Sequence, residues 1–182
     1  MFKRLFGSAT RANRAIADAV YGQIVAAARQ PVFYAEHDAP DTPLGRFEIL
    51  SLHMVLFLHR LRGEQGAAAA LGQDITDMFF QDVDHSLREL GIGDMGIPKR
   101  MKKLARMFYG RARAYGEALD AGDRDELAAA LARNVRPDAE DWPGAPDLAG
   151  HVIAVSDRLR EQPIADILRG RVGFEMGGAA DR

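Results

Sequence analysis

The residues best suited to acid–base or metal chemistry are five histidines and a larger set of carboxylates. His53 and His59 stand six positions apart in a predicted helix, so they lie on different faces and cannot share one metal ion. Asp82 and His85 are three positions apart and can share a face. A di-iron site in a helical bundle needs two Glu-x-x-His motifs and two further glutamates, and this sequence has no such motif. An enzyme with a buried site around Asp82 and His85 remains one alternative.

A glycine-rich loop, Gly91-x-Gly-x-x-Gly96, has the spacing of a dinucleotide-binding motif. That motif follows a buried strand, whereas this loop follows a predicted amphipathic helix, so we interpret its glycines as a flexible joint. The chain contains no cysteine, which excludes disulfides, thiolate metal sites and cysteine nucleophiles. No serine lies in a nucleophile-elbow motif. We therefore predict no catalytic residue, no cofactor and no metal, and a protein that is not an enzyme.

Charge is divided between two neighbouring stretches of the chain. From Asp74 to Asp94 there are six acidic residues and one basic residue, Arg88. The stretch 99–113 has seven basic residues and no acidic one. These bases are Lys99, Arg100, Lys102, Lys103, Arg106, Arg111 and Arg113. Because apolar residues recur at helical spacing in both stretches, we predict an acidic and a basic amphipathic helix packed as a hairpin.

The basic helix, residues 98–113, has three interpretations. It binds phosphate-rich RNA by releasing counterions, it docks on an anionic partner such as a ribosome or a bilayer, or it pairs with the acidic helix beside it. Exposed ion pairs of the last kind contribute at most about 1 kcal/mol each. Because the bases spread around the helix, one neighbouring helix cannot meet them all, and we favour a partner. The formal net charge of the chain is −2. An anionic partner must therefore be bound by a local patch of positive charge.

The apolar pattern predicts an all-α, single-domain helical bundle of about six helices. These helices cover approximately residues 9–29, 43–62, 64–90, 98–121, 124–134 and 148–160. The second is apolar around most of its circumference, which indicates an apolar central helix. Asp41-Thr42-Pro43 before it has the cap and the proline of a helix start. The most apolar run, Phe47–Leu61, is too short to span a bilayer.

Five short segments carry a resemblance to a known family. They are Ala28-Arg-Gln-Pro-Val-Phe-Tyr34, Pro40-Asp-Thr-Pro-Leu-Gly-Arg-Phe-Glu48, Leu52-His53 through Arg60-Leu61, Phe79-Phe80, and Asp82 through Gly110. Together, in this order, they resemble the ubiquinol–cytochrome c chaperone family, whose members assist assembly of the cytochrome bc1 complex. The resemblance covers about residues 15–135 and is specific because several segments occur in the right order.

The resemblance implies a non-enzymatic assembly chaperone that binds nascent or newly inserted cytochrome b for the bc1 complex. It also implies a small partner protein or a ribosome as further partners and no DNA. We expect a cytoplasmic protein in peripheral contact with the anionic inner membrane. The sequence shows no mitochondrial transit peptide, which points to a bacterial protein. The alternative function is a helical RNA- or ribosome-binding module that uses residues 98–113.

The predicted partner-binding residues are the seven bases of the basic helix and four apolar neighbours. These neighbours, Met95, Ile97, Phe108 and Tyr109, form either an adaptable apolar surface or part of the bundle core. Four segments are predicted along the chain: a cationic N-terminal segment, a helical chaperone domain, a linker loop, and a C-terminal helix with a tail that packs on the bundle. They cover residues 1–14, 15–135, 136–147 and 148–182. The first either touches an anionic membrane or forms a frayed helix start.

Overall fold

The fold is taken from a computed structural model, which describes residues 2–174 and the side chains from residue 13 onward. This part of the chain contains helices and no strand. The helices are α1 (Phe2–Ala28), α2 (Val32–Ala35), α3 (Pro43–Leu61), α4 (Ala67–Glu89), α5 (Ile97–Ala121), α6 (Arg124–Val135), α7 (Ala145–Glu161) and α8 (Ile164–Ile167). All except α2 and α8 have at least 12 residues, and these match the predicted helices. The prediction of an all-α bundle is confirmed.

Local sequence sets where the longer helices begin and end. The Thr42 hydroxyl caps α3 by accepting a hydrogen bond from the Gly45 amide at 3.1 Å. Pro43 occupies the first turn, where a missing amide hydrogen costs nothing. Asp123 caps α6 by accepting a backbone hydrogen bond at 2.9 Å. Gly122 ends α5 with a φ of 64°, a left-handed conformation that glycine adopts without strain.

The apolar helix α3 lies at the centre of the bundle. It contacts α1, α4, α5, α6 and α7, and most of its side chains from Ile49 to Leu61 are buried. A helix that is apolar on most sides must be covered on most sides, which explains why its neighbours surround it. No helix within residues 2–174 has the length and hydropathy needed to cross a bilayer.

The C-terminal tail packs across α1. The Gln23 side chain donates a hydrogen bond to the Gly170 carbonyl at 2.7 Å and accepts one from the Val172 amide at 2.9 Å. Val172 and Phe174 are buried. The helix before the tail, α7, packs against α6 and α3. Residues up to Phe174 therefore belong to the same core as the central helix.

The proline-rich segment 136–147, predicted as a surface linker, is anchored by its tryptophan. Trp142 is buried, and its indole nitrogen donates a hydrogen bond to the His37 carbonyl at 3.0 Å. His37 follows the single-turn helix α2, which packs Phe33 into the core. Two irregular segments far apart in the sequence therefore hold each other in place.

The first helix extends further toward the N-terminus than the sequence predicts. It begins at Phe2 rather than near residue 9, so the backbone of the cationic segment continues α1. From residue 17 to 28, Ala17, Val20, Ile24 and Ala28 are buried, at the 3–4 spacing of one helix face. The side chains of residues 1–12 lie outside the described part, and contact of this segment with a membrane stays a prediction.

Candidate partner-binding surface

The structure does not form the buried carboxylate–histidine site that Asp82 and His85 suggested. Asp82 accepts a hydrogen bond from the Tyr21 hydroxyl of α1 at 2.9 Å. His85 is exposed and lies 3.3 Å from the Glu89 carboxylate. The two side chains therefore contact different neighbours, and the buried site of that alternative is not formed. Among the described residues, no group of three or more histidines and carboxylates is arranged to hold a metal ion.

The cations of α5 divide into an exposed set and one buried residue. We define the basic face as the six exposed members of the predicted set. They are Lys99, Arg100, Lys102, Lys103, Arg106 and Arg113. None of these six forms an ion pair with another residue whose side chain is described. Helices α4 and α5 do pack together, but the basic face is not neutralised by the acidic residues of α4.

Arg111 is the exception, and its predicted role in the surface needs correction. It is buried, and its guanidinium makes two hydrogen bonds to the Glu48 carboxylate of α3, one of them from Nη2 at 2.6 Å. Arg111 continues the 3–4 spacing of the buried residues Phe108 and Tyr115, so it lies on the core side of α5. That spacing was the signal in the sequence from which the burial of Arg111 could have been predicted.

The buried pair shifts the titration of its carboxyl group. Burial raises the pKa of Glu48, and the hydrogen bonds and charge of Arg111 act in the opposite direction. A buried charge is tolerated only when it is paired and hydrogen-bonded. The pair therefore gives α3 and α5 one geometrically defined contact inside an otherwise apolar core.

Two of the four predicted apolar contact residues are also in the core. Ile97 and Phe108 are buried, the latter with its ring centroid 5.0 Å from that of Phe79. Met95 and Tyr109 are 99% and 59% exposed. The exposed apolar part of the predicted surface is therefore limited to the loop before α5 and to one aromatic ring.

Sequence reasoning missed an apolar groove on a neighbouring face. We define it as the groove between α1, α2, α3, α4 and α5, with a volume of about 510 Å³. Its apolar lining includes Val25, Phe47, Leu50, Val83, Leu87 and Leu104. At its edge, Leu44 and Leu90 are 50% and 57% exposed. Each leucine lies near the end of a helix, and the sequence offered no signal that the two ends meet.

A cluster of histidines lies on another side of α3. His53 is buried and donates a hydrogen bond from Nδ1 to the Ile49 carbonyl at 2.8 Å. Its ring and that of His151 both pack edge-on against Phe33, at 5.0 and 5.2 Å. Burial lowers the pKa of His53 to about 4. His53 is therefore a neutral part of the core near neutral pH.

Comparison with known proteins agrees with the resemblance of the sequence segments. Residues 35–174 match the family model described as ubiquinol-cytochrome C chaperone. A ubiquinol-cytochrome-c reductase complex assembly factor 1 from Xenopus laevis is 29% identical over 103 residues, which are 57% of this chain and 51% of that protein. The chain thus spans about half the length of this curated relative.

A solved structure extends the match over nearly the whole chain. The crystal structure of the Cbp3 homolog from Brucella abortus is 58% identical, covers 97% of both chains and superposes with a TM-score of 0.90. The family match also continues past residue 135, where the sequence resemblance ended, and includes α7 and the tail. The chain belongs to the ubiquinol–cytochrome c chaperone family.

Proposed function

We propose that this protein is a non-enzymatic assembly chaperone that binds newly made cytochrome b during biogenesis of the bc1 complex. The observation that carries this proposal is the family match over residues 35–174. The Xenopus relative is named as an assembly factor of the ubiquinol-cytochrome-c reductase complex, which supports the same function. A chaperone needs binding surfaces rather than a catalytic constellation, and the exposed features described above are surfaces of this kind.

The basic face supports peripheral contact with an anionic membrane. Each lysine or arginine near an anionic bilayer contributes about 1 kcal/mol of attraction, and six such side chains here have no ion pair within the described part of the chain. Met95, in the loop before α5, and Tyr109 add exposed apolar surface next to these cations. Cations beside apolar side chains are typical of proteins that bind at a membrane interface. We place the chaperone at the cytoplasmic side of the inner membrane, where cytochrome b is inserted.

An RNA- or ribosome-binding module is the second candidate function. The same six cations favour it, because a row of unneutralised bases binds phosphates with a strong dependence on salt. Tyr109 is the one aromatic side chain exposed beside them among the described residues. Proteins that bind single-stranded nucleic acid place several aromatic rings along the path of the strand. We therefore rank RNA binding below membrane and client binding.

The first experiment is a crosslinking pull-down of the tagged protein from cells that make bc1 complex, read by mass spectrometry. We expect cytochrome b to be enriched over other membrane proteins, and deletion of the protein to lower bc1 content while translation stays normal. Recovery of ribosomal proteins or RNA without cytochrome b would favour the second function. Recovery of neither, with normal bc1 content in the deletion strain, would refute both.

Charge reversal tests the role of the basic face. The variant carries Lys99→Glu, Arg100→Glu, Lys102→Glu and Lys103→Glu. We expect an intact helical fold and binding to anionic vesicles reduced by more than about tenfold, because four attractive contacts become repulsive. The matched control has the same change in net charge on exposed arginines outside α5. It carries Arg124→Glu, Arg133→Glu, Arg160→Glu and Arg169→Glu. Equal loss in both variants, or no loss in either, would contradict a specific role for the basic face.

A further inference from the structure

A cavity of about 420 Å³ lies beside the buried side chain of His53. We call it the histidine cavity. Its walls come from α1, α2, α3, α7 and the C-terminal tail, and they include Phe33, His151 and Phe174. The volume lies in the range of sites that bind small molecules. Gln30, which also lines the cavity, is exposed, so a ligand can enter from solvent.

His53 presents an unpaired hydrogen-bond acceptor to this cavity. The residue is 3% exposed, and its Nδ1 donates to the Ile49 carbonyl at 2.8 Å. Because the ring is neutral, Nε2 carries a lone pair and no hydrogen. Nε2 has no hydrogen-bond partner among the described residues, and it is not one of the unpaired polar atoms that are sealed within the core. It is therefore open to the cavity that His53 lines.

The lining of the cavity determines the charge of a ligand. Among the described residues that form it, none bears a carboxylate, an ammonium or a guanidinium group. An ion would lose its hydration there without gaining an opposite charge, so the ligand must be neutral. A metal ion would also need several donors, and the described part of the chain forms no group of three histidines or carboxylates suited to hold one.

The rings around the cavity favour a flat ligand that brings its own donor. The rings of His53 and His151 pack edge-on against Phe33 at 5.0 and 5.2 Å. The ring of Phe174 lies 5.6 Å from that of His53. Aromatic ligands pack well among such rings. An aliphatic amine would be charged near neutral pH, whereas a phenolic hydroxyl is a neutral donor.

We propose that the histidine cavity binds a neutral phenolic molecule whose hydroxyl donates a hydrogen bond to Nε2 of His53. This site lies beyond the proposed function and does not depend on it. A buried acceptor without a partner costs free energy, which the hydroxyl recovers. Val172 and Phe174 of the tail line the same cavity as α1 and α3, so the ligand also holds the tail against the bundle.

Calorimetric titration of the full-length protein with p-cresol tests this site. The matched control probe is p-xylene, in which a methyl group of similar size replaces the hydroxyl. We expect p-cresol to bind about tenfold more tightly than p-xylene, the factor that corresponds to one net hydrogen bond. Equal affinity for the two probes, or binding of neither, would overturn the proposal.

A substitution tests which side chain accepts the hydroxyl. His53→Phe keeps a ring of similar shape and removes Nε2, so the preference for p-cresol over p-xylene should disappear. His85→Phe is the control, because His85 is exposed on α4 and does not line the cavity, and it should bind like the wild-type protein. Circular dichroism verifies that both variants are folded. An unchanged preference in folded His53→Phe would overturn the proposal.

Nitrogen NMR of the labelled wild-type protein gives a readout that needs no substitution. Saturating p-cresol should shift the Nε2 resonance of His53, because that atom gains a hydrogen bond, and should leave the resonances of His85 in place. A His53 resonance that does not move, or equal shifts at both histidines, would also overturn the assignment of the hydroxyl to this atom.

Discussion

Replacing Arg111 with methionine is expected to lower the free energy of unfolding by about 3–5 kcal/mol, because it leaves the buried Glu48 carboxylate without its partner. Both side chains are buried, and the arginine donates two hydrogen bonds to the carboxylate. The double variant Glu48→Leu with Arg111→Met removes both charges. It should recover to within about 1 kcal/mol of the wild-type protein, since apolar replacements of buried ion pairs are often neutral or stabilising.

The loss in the free energy of unfolding caused by Arg111→Met should depend on pH. Burial already raises the pKa of Glu48, and Arg111 opposes that shift, so loss of the arginine raises the pKa further. A carboxyl group whose pKa is higher in the folded state than in the unfolded state favours folding when it is protonated. That stability is lost as the pH rises through the folded pKa. The difference between Arg111→Met and wild type should therefore be smaller at about pH 5 than at about pH 7.

Urea unfolding followed by circular dichroism measures these differences, with the slope m checked for constancy. Lys103→Met, on the exposed side of the same helix, is the control and should change stability by no more than about 0.5 kcal/mol. A double variant as unstable as the single one would show that the loss comes from packing and not from an unpaired charge. If the stability difference between Arg111→Met and wild type does not change with pH, the predicted rise in the pKa of Glu48 is contradicted.

Two further predictions concern the core and a close backbone contact. Burial lowers the pKa of His53 from 6.5 to about 4. Between these two pH values the histidine is protonated in the unfolded state and neutral in the folded state. About 3 kcal/mol of stability should be lost in this window, and His53→Leu should flatten the pH dependence measured by urea unfolding. Gly45→Ala should cost at least about 2 kcal/mol, because the added Cβ would lie 1.9 Å from the Pro40 carbonyl oxygen. Gly110→Ala, where the Cβ enters open space, should instead stabilise by up to about 1 kcal/mol in thermal unfolding.

Much of the fold could be predicted because the signals are local. Thr42-Pro43 and Asp123 mark helix starts through their own side chains, and apolar residues at 3–4 spacing mark the buried stripes. The single-turn helices α2 and α8 are too short to show any period. The anchoring of Trp142 on His37 joins positions 105 residues apart, and no local pattern encodes such a contact.

Six of the seven predicted cations are exposed, whereas Arg111, Ile97 and Phe108 of the same stretch are buried. Binding of a partner by the exposed residues stays a prediction. A count of charges treats every arginine as exposed, whereas the environment of Arg111 depends on Glu48, 63 positions earlier. The apolar groove was missed for a related reason. Its lining comes from helices that are separate in the sequence, and each contributing residue also fits an ordinary apolar stripe.

The buried pair and the basic face are linked through the orientation of α5. Arg111 reaches Glu48 only when its side of the helix faces α3, and the buried residues Phe108 and Tyr115 require the same rotation of α5 about its axis. In the same orientation Lys99, Lys103 and Arg106 point away from the core, while Leu104 lines the apolar groove. Chemically similar side chains on one helix therefore lie in different environments: Arg111 is buried against Glu48, and the six cations of the basic face are exposed to solvent.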